Sequence, residues 1–379
     1  MKRTLCFIMI FSFLLITSAR AEPLRDGDME IKAPSALLME KSTGEVLYEK
    51  NADERRLPAS VTKVMTMLLI VEDLEAGRIK PEDTVTASAR AASFGGSCVY
   101  LEAGEKMSVH EMLKCIAVVS ANDCAVAMAE FLSGSEKLFV DRMNRRADEL
   151  GLENTHFTNC TGLFDDAEHY TSARDLAIMS RELIKHDFIK DYTTIWMDSI
   201  RNGEFGLSNT NKLVKWYEGC TGLKTGFTSA AMYCLAATAE RDGVEYIAAI
   251  MGGESIDSRN ADAMSLLDYA FASFSLCSLR PPEPLPRLPV DTGAAASLSL
   301  CYGGQEYALV SKNSGEAQYS LSLPERVSAP VKAGDELGSL KVSIGEELIA
   351  QVPVLAAEDV PRLGFWGILG RLAGSLLGI

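Results

Sequence analysis

The apolar positions change period twice along the chain. In SALLMEKSTGEVLYEKN (residues 35–51) they fall in two short runs around Ser42-Thr43-Gly44, the pattern of a β-hairpin. From Ala59 to about Lys190 a helical period takes over. In LPASVTKVMTMLLIVEDLEAG (57–77), Val64, Met67, Leu68 and Val71 recur three and four apart, Pro58 suits a first turn and Gly77 a stop. The same period runs through SVHEMLKCIAVVSANDCAVAMAEFL (108–132) and TSARDLAIMSRELIK (171–185). Strand character then returns in AAMYCLAATAE and GVEYIAAIMGG, joined by Arg241-Asp242-Gly243, and NADAMSLLDYAFASF (260–274) reads as a helix able to pack on them. Two strands early and three late, with helices between, predict an α+β fold: an antiparallel sheet that receives an inserted helical subdomain.

At Arg280 the texture changes. RPPEPLPRLP holds five prolines in ten residues, which predicts a stiff linker over 279–289. Beyond it SLSLCY, EYALV, QYSLSL, GSLKVSI and ELIAQVPV alternate, which predicts a small all-β domain over 290–358 with no cluster suited to chemistry. The tail, 359–379, places Phe365, Leu369, Leu372, Leu376 and Ile379 three or four apart, with Trp366 and Ile368 beside them and Arg362 and Arg371 for positive charge. Two Arg and five Gly in its last nineteen residues make a poor bilayer span, so the reading is an amphipathic helix lying in a membrane surface. At the other end, Met1-Lys-Arg-Thr, an apolar run from Leu5 to Ile16 and Ala19-Arg20-Ala21 read as an export signal over 1–21, leaving 22–278 as the main domain.

The formal charge is −15, and loss of Lys2, Arg3 and Arg20 with the signal would make it −18. So acidic a chain, with no basic stripe, is not a nucleic-acid binder. Eight of the nine cysteines follow the signal: Cys98, Cys115, Cys124, Cys160, Cys220, Cys234, Cys277 and Cys301. There is no Cys-x-x-Cys, and several sit among Ala, Val, Ile and Leu, so free buried thiols are expected, with no metal and no cofactor.

Candidate chemistry begins at Ser60, which opens the first long helix with Lys63 one turn in. Residues three apart on a helix carry Cβ atoms about 5–6 Å apart, so the amine can lean on the hydroxyl. Ser-x-x-Lys is common by chance, and Ser is an ordinary helix-start residue. Two more motifs change its weight: Ser120-Ala121-Asn122, at a turn between two apolar helices, and Lys224-Thr225-Gly226, at the start of the late strands. A Ser hydroxyl must lose its proton to a neighbour; Lys63 can take it if neutral, and burial next to the second cation, Lys224, would lower its pKa. Ser120 can relay a proton, Asn122 can meet a peptide edge, Lys224 and Thr225 suit a carboxylate, and Gly226 allows close approach to a ligand.

The three motifs, in this order, resemble those of the low-molecular-weight penicillin-binding proteins, the serine D-alanyl-D-alanine carboxypeptidases of peptidase S11 type. GGSCVYLEAGEKMSVHEMLK, HYTSARDLAIMSRELI, NTNKLVKWYEGCTGLKTGFT and SRNADAMSLLDYAFASF are similar to family segments as well. Departures are Cys98 where Gln is usual, Thr221 where Asp is common, and Ala121 at a variable position. The resemblance implies a β-lactamase/transpeptidase-like fold and removal of the terminal D-Ala from peptidoglycan stem peptides through an acyl-enzyme on Ser60. It also implies acylation by β-lactams, an exported protein held at the outer face of the cytoplasmic membrane by its tail, and no cofactor. Backbone N–H groups of Ser60 and Phe227 would form the oxyanion hole, and Arg259 would hold the substrate's terminal carboxylate. Two alternatives stand beside it. A β-lactamase of the class with a Glu-x-x-x-Asn element would need Asn four residues after Glu168, where Ser172 stands, and a non-catalytic wall-binding scaffold would not need all of Ser60, Lys63, Ser120, Asn122 and Lys224. His110, His156, His169 and His186 are scattered and read as surface or structural.

Overall fold

The computed structural model describes residues 24–25, 27, 29–367 and 369; the expected export signal and most of the apolar tail lie outside the described residues. The chain divides into two compact units at Phe274/Ser275, four residues before the sequence-based boundary.

The first unit is built on a sheet. Its strands are β1 (Ser35–Glu40), β2 (Val46–Lys50), β3 (Cys220–Thr228), β4 (Met232–Arg241) and β5 (Val244–Gly253), in the order β2-β1-β5-β4-β3, all antiparallel. A two-residue strand, Leu24–Arg25, adds a parallel edge beside β2. The hairpin predicted around Ser42-Thr43-Gly44 is the β1–β2 pair. All six residues of β1 are buried, because both faces of the sheet are covered; such a strand reads as a continuous apolar run.

Between β2 and β3 lie α1 (Lys63–Glu75), α2 (Val109–Val119), α3 (Asn122–Ser133), α4 (Glu136–Glu149) and α5 (Ala173–Ile184); α6 (Ile256–Ser273) follows β5. Their ends are written in the sequence. Ser108 and Glu111 close a capping box at α2, Ser172 caps α5, Ser255 caps α6, and Gly77 leaves α1 with φ +67°. Alternation along β5 sorts the two faces. Ile247, Ala249 and Met251 join the core that α1 and α5 share, whereas Tyr246 points the other way and meets Phe271 of α6 edge-on. Val64, Met65, Met67 and Leu68 of α1 are fully buried, so the helix that begins at Lys63 is the centre of the unit.

The second unit is all β, with a four-stranded sheet ordered Leu300–Tyr302, Glu347–Ala356, Glu336–Ile344 and Ala317–Ser322, and a smaller one around Leu288–Asp291. Two expected boundaries shift. The Pro-rich segment is partly built into this unit, since Leu279 is buried in its core, Leu285 packs on that core and Leu288 already lies in a strand. The tail also starts later than 359: Val360 is buried and bridges Val331, Arg362 bridges Gly293, and the helical residues begin at Phe365. Proline content does not stop Leu279 and Leu285 from packing, and the apolar spacing of the tail carries no sign of the backbone bridges at Val360 and Arg362.

Candidate active site

Ser60 sits in a single 3-10 turn, Ala59–Thr62, that runs straight into α1. Lys63 is the first residue of that helix and is wholly buried. Its Nζ has three neighbours: Ser60 Oγ at 3.1 Å, Asn122 Oδ1 at 2.6 Å and the backbone O of Thr161 at 2.8 Å. The last two can only accept. A neutral amine has two hydrogens, both taken by them, so its lone pair is left for the one neighbour able to donate, the Ser60 hydroxyl. Burial favours that neutral form: it pulls Lys63 down to about 7, while Cys160, Cys98 and Asp123 pull weakly upward.

Asn122 opens α3 directly after the turn that ends α2. Ser120 makes the turn in the left-handed conformation, φ +64°, and its buried hydroxyl has no hydrogen-bond partner. Asn122 is committed at both ends. Its Oδ1 accepts from Lys63 and its Nδ2 donates to Gly95 O at 2.8 Å, while its own N–H donates to Ser97 O. The expected contact with a substrate's peptide edge is thereby limited to the second hydrogen of Nδ2.

The third motif lies on β3, which packs against the turn that carries Ser60. A Cβ on Gly226 would lie 2.8 Å from Pro58 O and 3.0 Å from the backbone N of Ser60 and of Val61. The close approach that Gly226 permits is therefore to the protein's own turn, where a ligand had been expected. Lys224 is buried and donates to Thr225 O at 2.8 Å; burial, then the charges of Lys63 and Arg259, hold it well below the usual lysine range. Burial is likewise the chief cause of the lowering at Lys63. Thr225 Oγ1 donates to Thr210 Oγ1 at 2.8 Å. Phe227 is exposed and lies against Tyr233, with ring centroids 4.4 Å apart. Arg259, in the first turn of α6, is buried and donates to Cys234 O and Asn260 Oδ1; burial brings it to about 10.

Sequence reasoning missed the loop that carries Thr161. Asn159 Oδ1 accepts the backbone N–H groups of Thr161 and Gly162 and so presents Thr161 O to Lys63. His169 is one of the four scattered histidines; it is buried, 2.8 Å from Thr62 Oγ1. This loop has no periodicity to mark it. Among the described residues, no cluster of His, Cys, Asp and Glu could hold a metal ion, and the eight described cysteines are free.

Residues 18–255 match the family model described as D-alanyl-D-alanine carboxypeptidase, and residues 289–362 match that of the C-terminal domain of penicillin-binding protein 5. The chain is 42% identical to the D-alanyl-D-alanine carboxypeptidase DacF of Bacillus subtilis, over 99% of both chains. It is 32% identical to DacA of Escherichia coli K12, over 93% of this chain and 91% of that one. Penicillin-binding protein 5 from Haemophilus influenzae superposes with a TM-score of 0.76 at 28% identity, covering 88% of this chain and 99% of that one. Matched by that family model over residues 18–255 and by relatives over nearly their whole length, the chain belongs to the peptidase S11 family of D-alanyl-D-alanine carboxypeptidases.

Proposed function

We propose that the protein removes the terminal D-Ala of peptidoglycan stem peptides through an ester on Ser60. The observation that carries this is the hydrogen-bond set of Lys63, whose two acceptor-only partners turn its lone pair toward Ser60 Oγ. Ser60 Oγ attacks the penultimate D-Ala carbonyl as its proton passes to Lys63. The negative oxygen faces the backbone N–H groups of Ser60 and Phe227, each such donor being worth about 3–4 kcal/mol. The C–N bond breaks, and the leaving amine takes the proton back from Lys63 by way of Ser120, whose hydroxyl is buried and unpartnered. Water then cleaves the ester, releasing the shortened peptide and returning the proton to Ser60. Lys224, Thr225 and Arg259 hold the substrate's terminal carboxylate. Penicillins enter the same path, but their leaving nitrogen stays tethered and the ester persists.

The tail supports a surface location. Phe365, Trp366 and Leu369 are exposed and helical, while among the described residues no helix is long and apolar enough to cross a membrane. An exported enzyme resting on the outer face of the membrane by this segment, with its substrate in the wall, accounts for both. The reading is tested by D-alanine release from a pentapeptide ending in D-Ala-D-Ala: release that Ser60→Ala abolishes supports it, and release that Ser60→Ala leaves intact overturns it.

A further inference from the structure

A chain of hydrogen bonds from outside the reacting groups ends on the nucleophile's own peptide. The backbone N–H of Thr158 donates to His169 Nδ1 at 2.9 Å, His169 Nε2 lies 2.8 Å from Thr62 Oγ1, and Thr62 Oγ1 donates to Ala59 O at 2.8 Å. The directions are forced. A backbone N–H can only donate, so Nδ1 accepts; the hydrogen of the neutral ring is then on Nε2, and Thr62, whose own hydrogen goes to a carbonyl, accepts it. Thr62 and His169 are each 1% exposed, and burial drops the imidazole to about 4, so the ring keeps this form at neutral pH.

The carbonyl at the end of the chain belongs to the Ala59–Ser60 peptide. Because a peptide unit is planar, fixing the direction of Ala59 C=O fixes that of Ser60 N–H on its other side. This peptide needs holding: Ala59 has φ +49°, a left-handed conformation that is unfavourable for a residue with a Cβ. Gly162 closes over the same carbonyl, where a Cβ would lie 1.8 Å from Ala59 O and 2.6 Å from Thr62 Oγ1. We propose that Thr62 and His169 are positioning residues that hold the Ala59–Ser60 peptide so that Ser60 N–H meets the oxyanion of the reacting carbonyl. The inference rests on the reading of Ser60 as nucleophile and oxyanion donor.

Thr62→Val keeps the shape and removes both hydrogen bonds, whereas Thr62→Ser keeps them. Acylation by benzylpenicillin should fall at least about tenfold in Thr62→Val, as small misplacements of reacting groups do. Affinity for a boronic acid mimic of D-Ala-D-Ala, whose tetrahedral adduct puts an oxygen in the same place, should fall by a similar factor. The infrared band of the penicilloyl ester carbonyl should move to higher frequency, KM for the pentapeptide should change little, and Thr62→Ser should restore all three losses. Folded Thr62→Val that acylates at the parent rate, or whose carbonyl band does not move, overturns the proposal. Should Thr62→Val not fold, His169→Gln, which can still donate to Thr62, is compared with His169→Leu; equal acylation rates in that pair overturn it too. Failure of the underlying reading looks different, because the unmutated protein would then carry no adduct on Ser60.

Discussion

At Lys63 burial lowers one amine to about 7 and two acceptors aim it, and the first of these properties can be titrated. Acylation of Ser60 should rise as pH is raised through about 7, the value to which burial brings the amine. The stability consequence has a definite sign. In the unfolded chain the amine titrates at its ordinary 10.5 and in the folded protein near 7, so between those values only the unfolded chain keeps the proton. Stability therefore rises with pH across that window, by about 1.4 kcal/mol per unit from this group. Lys63→Met lacks the group, and urea unfolding at pH 7 and pH 9 should show the parent gaining on it; a constant difference between the two would contradict a buried neutral lysine. The two lysines should also part on substitution. Lys63→Arg should lose nearly all acylation, since guanidinium cannot take a proton, whereas Lys224→Arg should retain a measurable part of it. Equal losses in the acylation rate would mean that the roles are divided wrongly.

At the scale of elements, β3 approaches the Ser60 turn at Gly226 too closely to leave room for a side chain. Gly226→Ala would put a methyl group 3.0 Å from the backbone N of Ser60 and 2.8 Å from Pro58 O, both rigid neighbours. Overpacking of this kind costs about 1–3 kcal/mol of stability, and because the clash falls on the proposed oxyanion donor, acylation should drop by on the order of a hundredfold. Stopped-flow acylation of a folded Gly226→Ala at the parent rate would show that the strand can yield. Much of this was legible in the sequence. The period of α1, the turn between α2 and α3 and the strand holding Lys224 each carry local signals, and their order supplied the constellation. The loop from Thr158 to His169 carries none, because its contribution to the site is a backbone carbonyl and a buried ring whose partners are distant in sequence. The same holds for Asn122: its residue type is legible in the sequence, but its partners Lys63 and Gly95 are brought to it only by tertiary packing.

For the whole molecule, the proposed chemistry lies in the unit ending at Phe274 and the proposed attachment in the tail. The tail should be cut after Gly364, because Val360 and Arg362 are tied by backbone bridges into the β unit. Protein lacking residues 365–379 should keep its penicillin binding and stay in the supernatant with anionic vesicles, while the uncut mature protein pellets with them. If both stay in solution, the tail is not an anchor. The central claim, that Ser60 is acylated with Lys63 as its base, is tested most directly by intact mass after exposure to benzylpenicillin. One penicilloyl adduct per chain is expected, mapped to the peptide containing Ser60 and absent from Ser60→Ala; an adduct that persists in Ser60→Ala, or maps elsewhere, would contradict the claim.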